Sequence, residues 1–149
     1  MDDALLSPLS SPLARGLRSS AESARRLAAA GQDLRIGFAE RVVRARLQSL
    51  SDGRLTLRSA GQVSTFGNQD SSDLQADVTI LDPATWTALL QRGTVGAAES
   101  YAKGFWVADD LATVTRLFAR NQAALRGMDG GLAKLSQPLL RLALSLIHI

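Results

Sequence analysis

The chain of 149 residues has no cysteine, which excludes disulfides, thiolate metal sites and a cysteine nucleophile. Its single histidine, His148, stands one residue from the end, so neither a histidine-based triad nor a histidine-rich metal site is expected. Lysine is almost missing: 15 of the 17 basic residues are arginine, and Lys103 and Lys134 are the exceptions. Aromatic residues make up 5%. No apolar run approaches the roughly 20 residues needed to cross a bilayer. The chain begins Met1-Asp2-Asp3, acidic where a secretory leader is positive, and Pro8, Pro12 and Arg15 interrupt the apolar residues that follow. The expected location is cytoplasmic, and the expectation for chemistry is a single domain without a complete enzyme.

What is present suits a folded domain. Hydrophobic residues make up 46% and both charge signs occur, enough to bury a core. The net charge of +3 is mild but unevenly spread. Residues 1–60 hold ten arginines against six acids, and residues 61–122 hold four basic against seven acidic residues. Phe38 is the one aromatic of the basic region, so the stacking platforms and dense basic stripe of a nucleic-acid binder are missing. An anionic lipid surface demands less charge and accepts an amphipathic helix.

Pattern divides the chain into a 1–32 extension, a 33–122 domain and a 123–149 linker with a final helix. The first 13 residues, with two Ser-Pro steps, read as a loose lead-in. Good helix formers over 17–30 predict a helix stopped at Gly31. A second helix is predicted from about Asp33 to Leu50, with Leu34, Phe38, Val42, Leu47 and Leu50 on its apolar face and Arg35, Arg41, Arg44 and Gln48 elsewhere. Leu55 and Leu57, then Val63 and Thr65, alternate around Ala60-Gly61 and predict a hairpin. Ala76, Val78 and Ile80 mark a third strand. Asp82-Pro83 starts a short helix that carries Trp86, Leu89 and Leu90 and closes at Gly93. Asp109-Asp110 precedes a helix with Leu111, Val114, Leu117 and Phe118 on one side. Residues 127–131 form a glycine-rich link to a last, leucine-rich helix. The fold class is α+β: N-terminal helices, a small antiparallel sheet of about three strands, then packed helices.

Residues 93–106 are the densest in chemical signals. Glycines at 93, 96 and 104 lack the spacing of either a dinucleotide fingerprint or a P-loop, and read as helix punctuation. Glu99, one of three glutamates, is either a general base of raised pKa or a carboxylate held by backbone amides or an arginine. No second carboxylate or histidine stands at a useful spacing. Phe105-Trp106 reads as core or as the wall of an acyl-chain groove. The arginines of the second helix suit headgroup phosphates, or simply solvent.

Taken together, Asp77-Val78-Thr79-Ile80, Asp82-Pro83, Trp86, Leu89-Leu90, Gly93, Gly96, Glu99-Ser100-Tyr101, Gly104-Phe105-Trp106, Asp110-Leu111, Leu117 and Arg120-Asn121 resemble the N-terminal domain of cyclopropane-fatty-acyl-phospholipid synthases. Asp52-Gly53-Arg54-Leu55-Thr56-Leu57 and Phe66-Gly67 resemble that family's first hairpin, so the similarity runs over about 36–144. Ala98 stands where the family usually has glycine, and Lys103 where an acid is common.

The resemblance implies a parent methyltransferase that methylenates the cis double bond of phospholipid acyl chains, using S-adenosylmethionine and a bound bicarbonate. Both cofactors would belong to a C-terminal methyltransferase domain missing from this chain, so no catalytic residue is carried over and no cofactor is expected in this fragment. It further implies a sterol-carrier-like, lipid-engaging architecture, peripheral at the inner membrane face. Its partners would be the phospholipid surface, the methyltransferase domain and a second copy in a homodimer, with no nucleic acid. Trp86, Glu99, Tyr101, Phe105, Trp106 and Leu117 are the candidates for a lipid groove or domain interface, and Arg41 and Arg44 for headgroup contact; no metal ligand is proposed. The apolar ending around Leu142–Ile149 is expected to be a helix cut off from its continuation. Rival readings are a stand-alone lipid-binding or lipid-transfer module and a basic adaptor on anionic surfaces.

Overall fold

Alanine, arginine and leucine dominate the segment that becomes the first helix. The computed structural model, which describes residues 12–68, 70 and 73–123, shows it as α1 (Pro12–Leu47). The expected lead-in over 1–11, the glycine-rich link, the last leucine-rich helix and His148 lie outside the described residues. The break expected at Gly31 is absent. One glycine costs a helix about 1 kcal/mol relative to alanine, too little to stop it among strong helix formers. The chain divides between Leu34 and Arg35 into two units. The first contributes the N-terminal part of α1, and the second holds everything from Arg35 onward.

In the second unit, α1 buries Ala39, Val43 and Leu47, followed by Leu50. Leu34 and Phe38, expected on this face, are 68% and 48% exposed. The buried side is therefore rotated from the expected stripe, toward Ala39, a residue too small to announce itself in a hydrophobic pattern. Arg44 and Arg46 in the last turn complement the negative end of the helix dipole.

Four strands follow, in the order β2-β1-β3-β4: β1 (Arg54–Ser59), β2 (Gln62–Gly67), β3 (Gln75–Ile80) and β4 (Trp106–Ala108). The sheet is mixed, not antiparallel throughout: β1 runs antiparallel to β2 and parallel to β3, and β3 is antiparallel to β4. Alternation marks the inward residues of β1 and β3, where Leu55, Leu57, Ala76 and Val78 are buried, but alternation carries no direction. In β2 the inward residues are Ser64 and Phe66, opposite Leu57 and Leu55, while Val63 is 64% exposed. The expected Val63/Thr65 pair thus lies on the other face. Ala60 (φ 50°) and Gly61 (φ 77°) form the two-residue turn between β1 and β2. Two left-handed residues there match the strand twist.

The parallel pairing has a local cause. Gly67 and Gln75 both register with Arg54, so the chain leaves β2 and enters β3 on either side of the start of β1. That crossing is tight. Asn68 N–H donates to the Gly53 carbonyl at 2.9 Å, and Arg54 N–H donates to Leu74 at 2.8 Å. A Cβ on Gly67 would stand 2.2 Å from the Gly53 oxygen, and one on Gly53 would stand 2.4 Å from Leu117 Cδ1. Both glycines have positive φ, so side chains are excluded there by space and by backbone.

After β3, the Asp82 carboxylate accepts from Ala84 N–H at 2.8 Å and opens α2 (Ala84–Ala102). Gly93 does not end this helix but kinks it, at φ 53° and ψ −128°, a conformation essentially confined to glycine. The two halves then meet closely, since a Cβ on Gly96 would lie 2.0 Å from the Ala88 carbonyl oxygen. Asp110 caps α3 (Leu111–Arg120), accepting from Ala112 N–H at 3.0 Å and from the Thr113 hydroxyl at 2.6 Å. These bonds hold its carboxyl below the ordinary value of 3.8. At the far end, Asn121 is 3% exposed and fully bonded. Its Oδ1 accepts from the N–H groups of Ser51 and Asp52, and its Nδ2 donates to the carbonyls of Asp52 and Leu117. One amide therefore ties the end of α3 to the entry of β1.

Candidate apolar cleft

Residues that alternate inward on the sheet meet the inner faces of three helices around a cavity of about 480 Å³, within the usual range for small-molecule sites. Leu55, Leu57, Val78 and Ile80 form the sheet side, and Val43 and Leu47 of α1 close one flank. The kink lets α2 line the cavity twice: through Thr85, Trp86 and Leu89 before Gly93, and through Thr94, Ala97, Ala98 and Tyr101 after it. From α3, Leu111, Val114, Thr115 and Phe118 contribute one face at helical spacing. The exposed members of the lining, among them Ala98, Tyr101, Leu111 and Thr115, sit on the second half of α2 and on α3, so the mouth opens between these helices.

Among the described residues no charged side chain lines the cleft. Two of its polar groups are turned to local use: the Thr85 hydroxyl donates to the Phe105 carbonyl at 3.3 Å, and the Thr115 hydroxyl to the Leu111 carbonyl at 2.8 Å. The Trp106 indole N–H, at the sheet edge, donates to the Ala97 carbonyl at 2.9 Å and to the Ser100 hydroxyl at 3.1 Å. Ser100 in turn donates to the Gly96 carbonyl at 2.7 Å. The Tyr101 ring packs on Trp106, 4.9 Å between centroids. With these groups engaged locally, most of the wall presents hydrocarbon and aromatic surface, and Thr94, Tyr101 and Gln122 are its remaining polar side chains. It suits an apolar chain.

Of the residues singled out from the sequence, Trp86, Tyr101 and Trp106 come together in this lining. Glu99, Phe105 and Leu117 do not. Glu99 forms an ion pair with Arg92, one of the two readings open to it. Phe105 is half-buried, with Lys103 Nζ 5.8 Å from its ring centre. Leu117 is fully buried and faces Gly53. Arg41 is exposed. Arg44 is held by Glu40 at 2.8 Å and by the Ser64 hydroxyl at 2.8 Å, with its guanidinium 5.4 Å from the Trp86 ring centre. Sequence reasoning missed Ser100 as the support of Trp106 and Asn121 as a clamp. It also missed Leu111 and Thr115 as the second lip of the cleft. The i, i+4 spacing of Leu111 and Thr115 was readable, but a threonine gives no apolar signal. Among the described residues no cluster of three or more His, Asp or Glu side chains is placed to hold a metal.

The class these features define is an α+β domain with a helix-roofed apolar cleft. No protein-family model, curated protein or solved structure matches the chain.

Proposed function

We propose that this chain is a lipid-engaging domain whose cleft takes a single acyl chain, and that it is the N-terminal part of a methyltransferase of the cyclopropane-fatty-acyl-phospholipid synthase type. The observation that carries the lipid reading is the uncharged lining of a cavity of about 480 Å³. Each methylene transferred from water into such a wall is worth about 0.8 kcal/mol, roughly fourfold in affinity. Among the described residues the cleft has no carboxylate for the cationic end of S-adenosylmethionine and no cation for bicarbonate, so these residues fit neither, and no chemical step is assigned to the cleft. Both belong to the catalytic domain that the parentage implies. Among the described residues no helix is long and apolar enough to cross a membrane. Access to acyl chains is therefore assigned to peripheral contact at the inner membrane face, with exposed Arg41 near anionic headgroups and Arg44 contributing mainly by holding Trp86.

The two tryptophans of the chain, Trp86 and Trp106, both line the cleft, and they supply the assay. Dibrominated stearate is expected to quench their fluorescence saturably, and unlabelled oleate to reverse the quenching. Affinity over a series of saturated fatty acids is expected to climb about fourfold per methylene until the cavity is full. Absence of quenching, or affinity independent of chain length, would overturn the reading.

A further inference from the structure

The mouth of the cleft carries information about the charge of whatever enters it. Two of its exposed polar side chains have long reach: Tyr101 on the second half of α2 and Gln122 just past the end of α3. One offers a phenol hydroxyl and the other a carboxamide, and both donate a hydrogen bond without carrying charge. The cations on the bordering segments are engaged elsewhere or stand outside the lining. Arg92 pairs with Glu99, Lys103 Nζ stands 5.8 Å from the Phe105 ring centre, and Arg120 lies 3.7 Å from the Asp52 carboxylate. Arg116 is exposed and does not line the cleft. The positive end of α3, beside the lining residue Leu111, attracts anions in principle. It is taken by its own cap, because the Asp110 carboxylate accepts from the Ala112 N–H and the Thr113 hydroxyl. An ionised group drawn into this mouth would lose water without gaining an opposite charge, which is costly. An uncharged carbonyl needs only a donor.

We propose that Tyr101 and Gln122 select the occupant by charge: they hold the uncharged carbonyl of an ester- or amide-linked acyl chain and disfavour the free fatty-acid anion. The inference rests on the reading of the cleft as an acyl-chain site, and adds which end stays at the mouth and in what chemical form. The chain enters tail first, so that its hydrocarbon reaches Val43, Leu47 and Trp86 on the buried side. Its carbonyl stops at the lips, where Tyr101 and Gln122 are the donors. The Tyr101 ring is fixed by packing on Trp106, 4.9 Å between centroids, which aims the hydroxyl before a ligand arrives. Gln122 matters for what it is not: a lysine or arginine at this exposed position would have made the site a fatty-acid binder.

The test uses three quenchers of Trp86 and Trp106 on the full chain at pH 8: dibrominated stearate, its methyl ester, and a bromoalkane of equal length with no carbonyl. The ester is more apolar than the acid in any solvent, so the variants decide. Tyr101→Phe keeps the ring and removes the hydroxyl. It is expected to weaken the ester about threefold, the weight of one partly exposed hydrogen bond, and to leave the bromoalkane unchanged. Gln122→Leu is expected to weaken the ester to the same extent without weakening the bromoalkane. Gln122→Arg is expected to reverse the selection, raising affinity for the acid at least threefold with no gain for the ester. Both positions are exposed, and thermal unfolding checks that each variant remains folded. Equal losses of ester and bromoalkane in Tyr101→Phe overturn the proposal, as does an ester affinity that neither variant changes. So does a Gln122→Arg variant that gains nothing for the acid. If the probes bind and the variants behave like the parent chain, charge selection fails while the acyl-chain reading stands. If none of the three quenches, both fall.

Discussion

Replacing Asn121 tests whether the end of α3 is held to the start of the sheet as described. The side chain makes four hydrogen bonds: 3.0 and 3.1 Å from the Ser51 and Asp52 N–H groups, and 2.6 and 2.8 Å to the Asp52 and Leu117 carbonyls. At about 1 kcal/mol net for each bond, Asn121→Ala removes about 4 kcal/mol. Water reaches part of the loop backbone, which lowers the expected loss to about 2–4 kcal/mol. Asn121→Asp is nearly isosteric and more discriminating. Its first oxygen keeps both N–H donors, but the second replaces a donor and faces two carbonyl oxygens. The native state therefore favours the protonated acid, raising the pKa of this aspartate above the ordinary value of about 3.9. The penalty is full above that raised pKa and shrinks as pH falls toward the unfolded value. Urea unfolding followed by tryptophan fluorescence, near pH 7 and near pH 5, reads both effects. A loss under about 0.5 kcal/mol for Asn121→Ala, the size of an ordinary surface change, would refute the clamp. So would an Asn121→Asp variant that gains nothing relative to the parent chain in acid.

Two further outcomes follow from the backbone. Gly96→Ala places a methyl 2.0 Å from the Ala88 carbonyl oxygen, so the halves of α2 must separate. A stability loss of about 3 kcal/mol and weaker fatty-acid binding are expected together, by thermal unfolding and by the quenching assay. Ala60, in the left-handed region at φ 50°, carries strain that asparagine tolerates. Ala60→Asn is expected to raise stability by about 0.5–1 kcal/mol in chemical denaturation without altering the cleft.

Much of the domain could be read from the sequence because single elements obey local rules. The inward alternation of Leu55, Leu57, Ala76 and Val78, the start of α3 after Asp109-Asp110 and its stripe through Val114 and Leu117 all depend on nearest neighbours along the chain. The direction of β3 does not. It rests on Gly53 and Gly67 permitting a crossing whose partners are distant in sequence. β4 contains three residues, too few for a period of two to show. Gly93 reads as a stop because glycine usually ends helices, and only the close approach at Gly96 reveals that the chain resumes the helix at an angle. The same limit explains the candidate site. Trp86, Tyr101 and Trp106 attract notice as aromatics and do meet in the cleft. Glu99 stood out as a carboxylate among apolar residues, but the turn of the helix directs it to Arg92.

The kink at Gly93 has a consequence for the thermodynamics of occupancy. Two walls of the cleft come from one continuous segment of 19 residues, fixed by a glycine-only backbone angle, by the contact at Gly96 and by the bonds of Ser100 to Trp106. Their separation is thus settled when the domain folds, not when a guest arrives. A ligand entering such a site orders little of the protein, so the conformational entropy that usually subtracts from affinity has already been spent. Discrimination between guests then falls to length and shape, because the walls have little freedom to adjust to a poor fit.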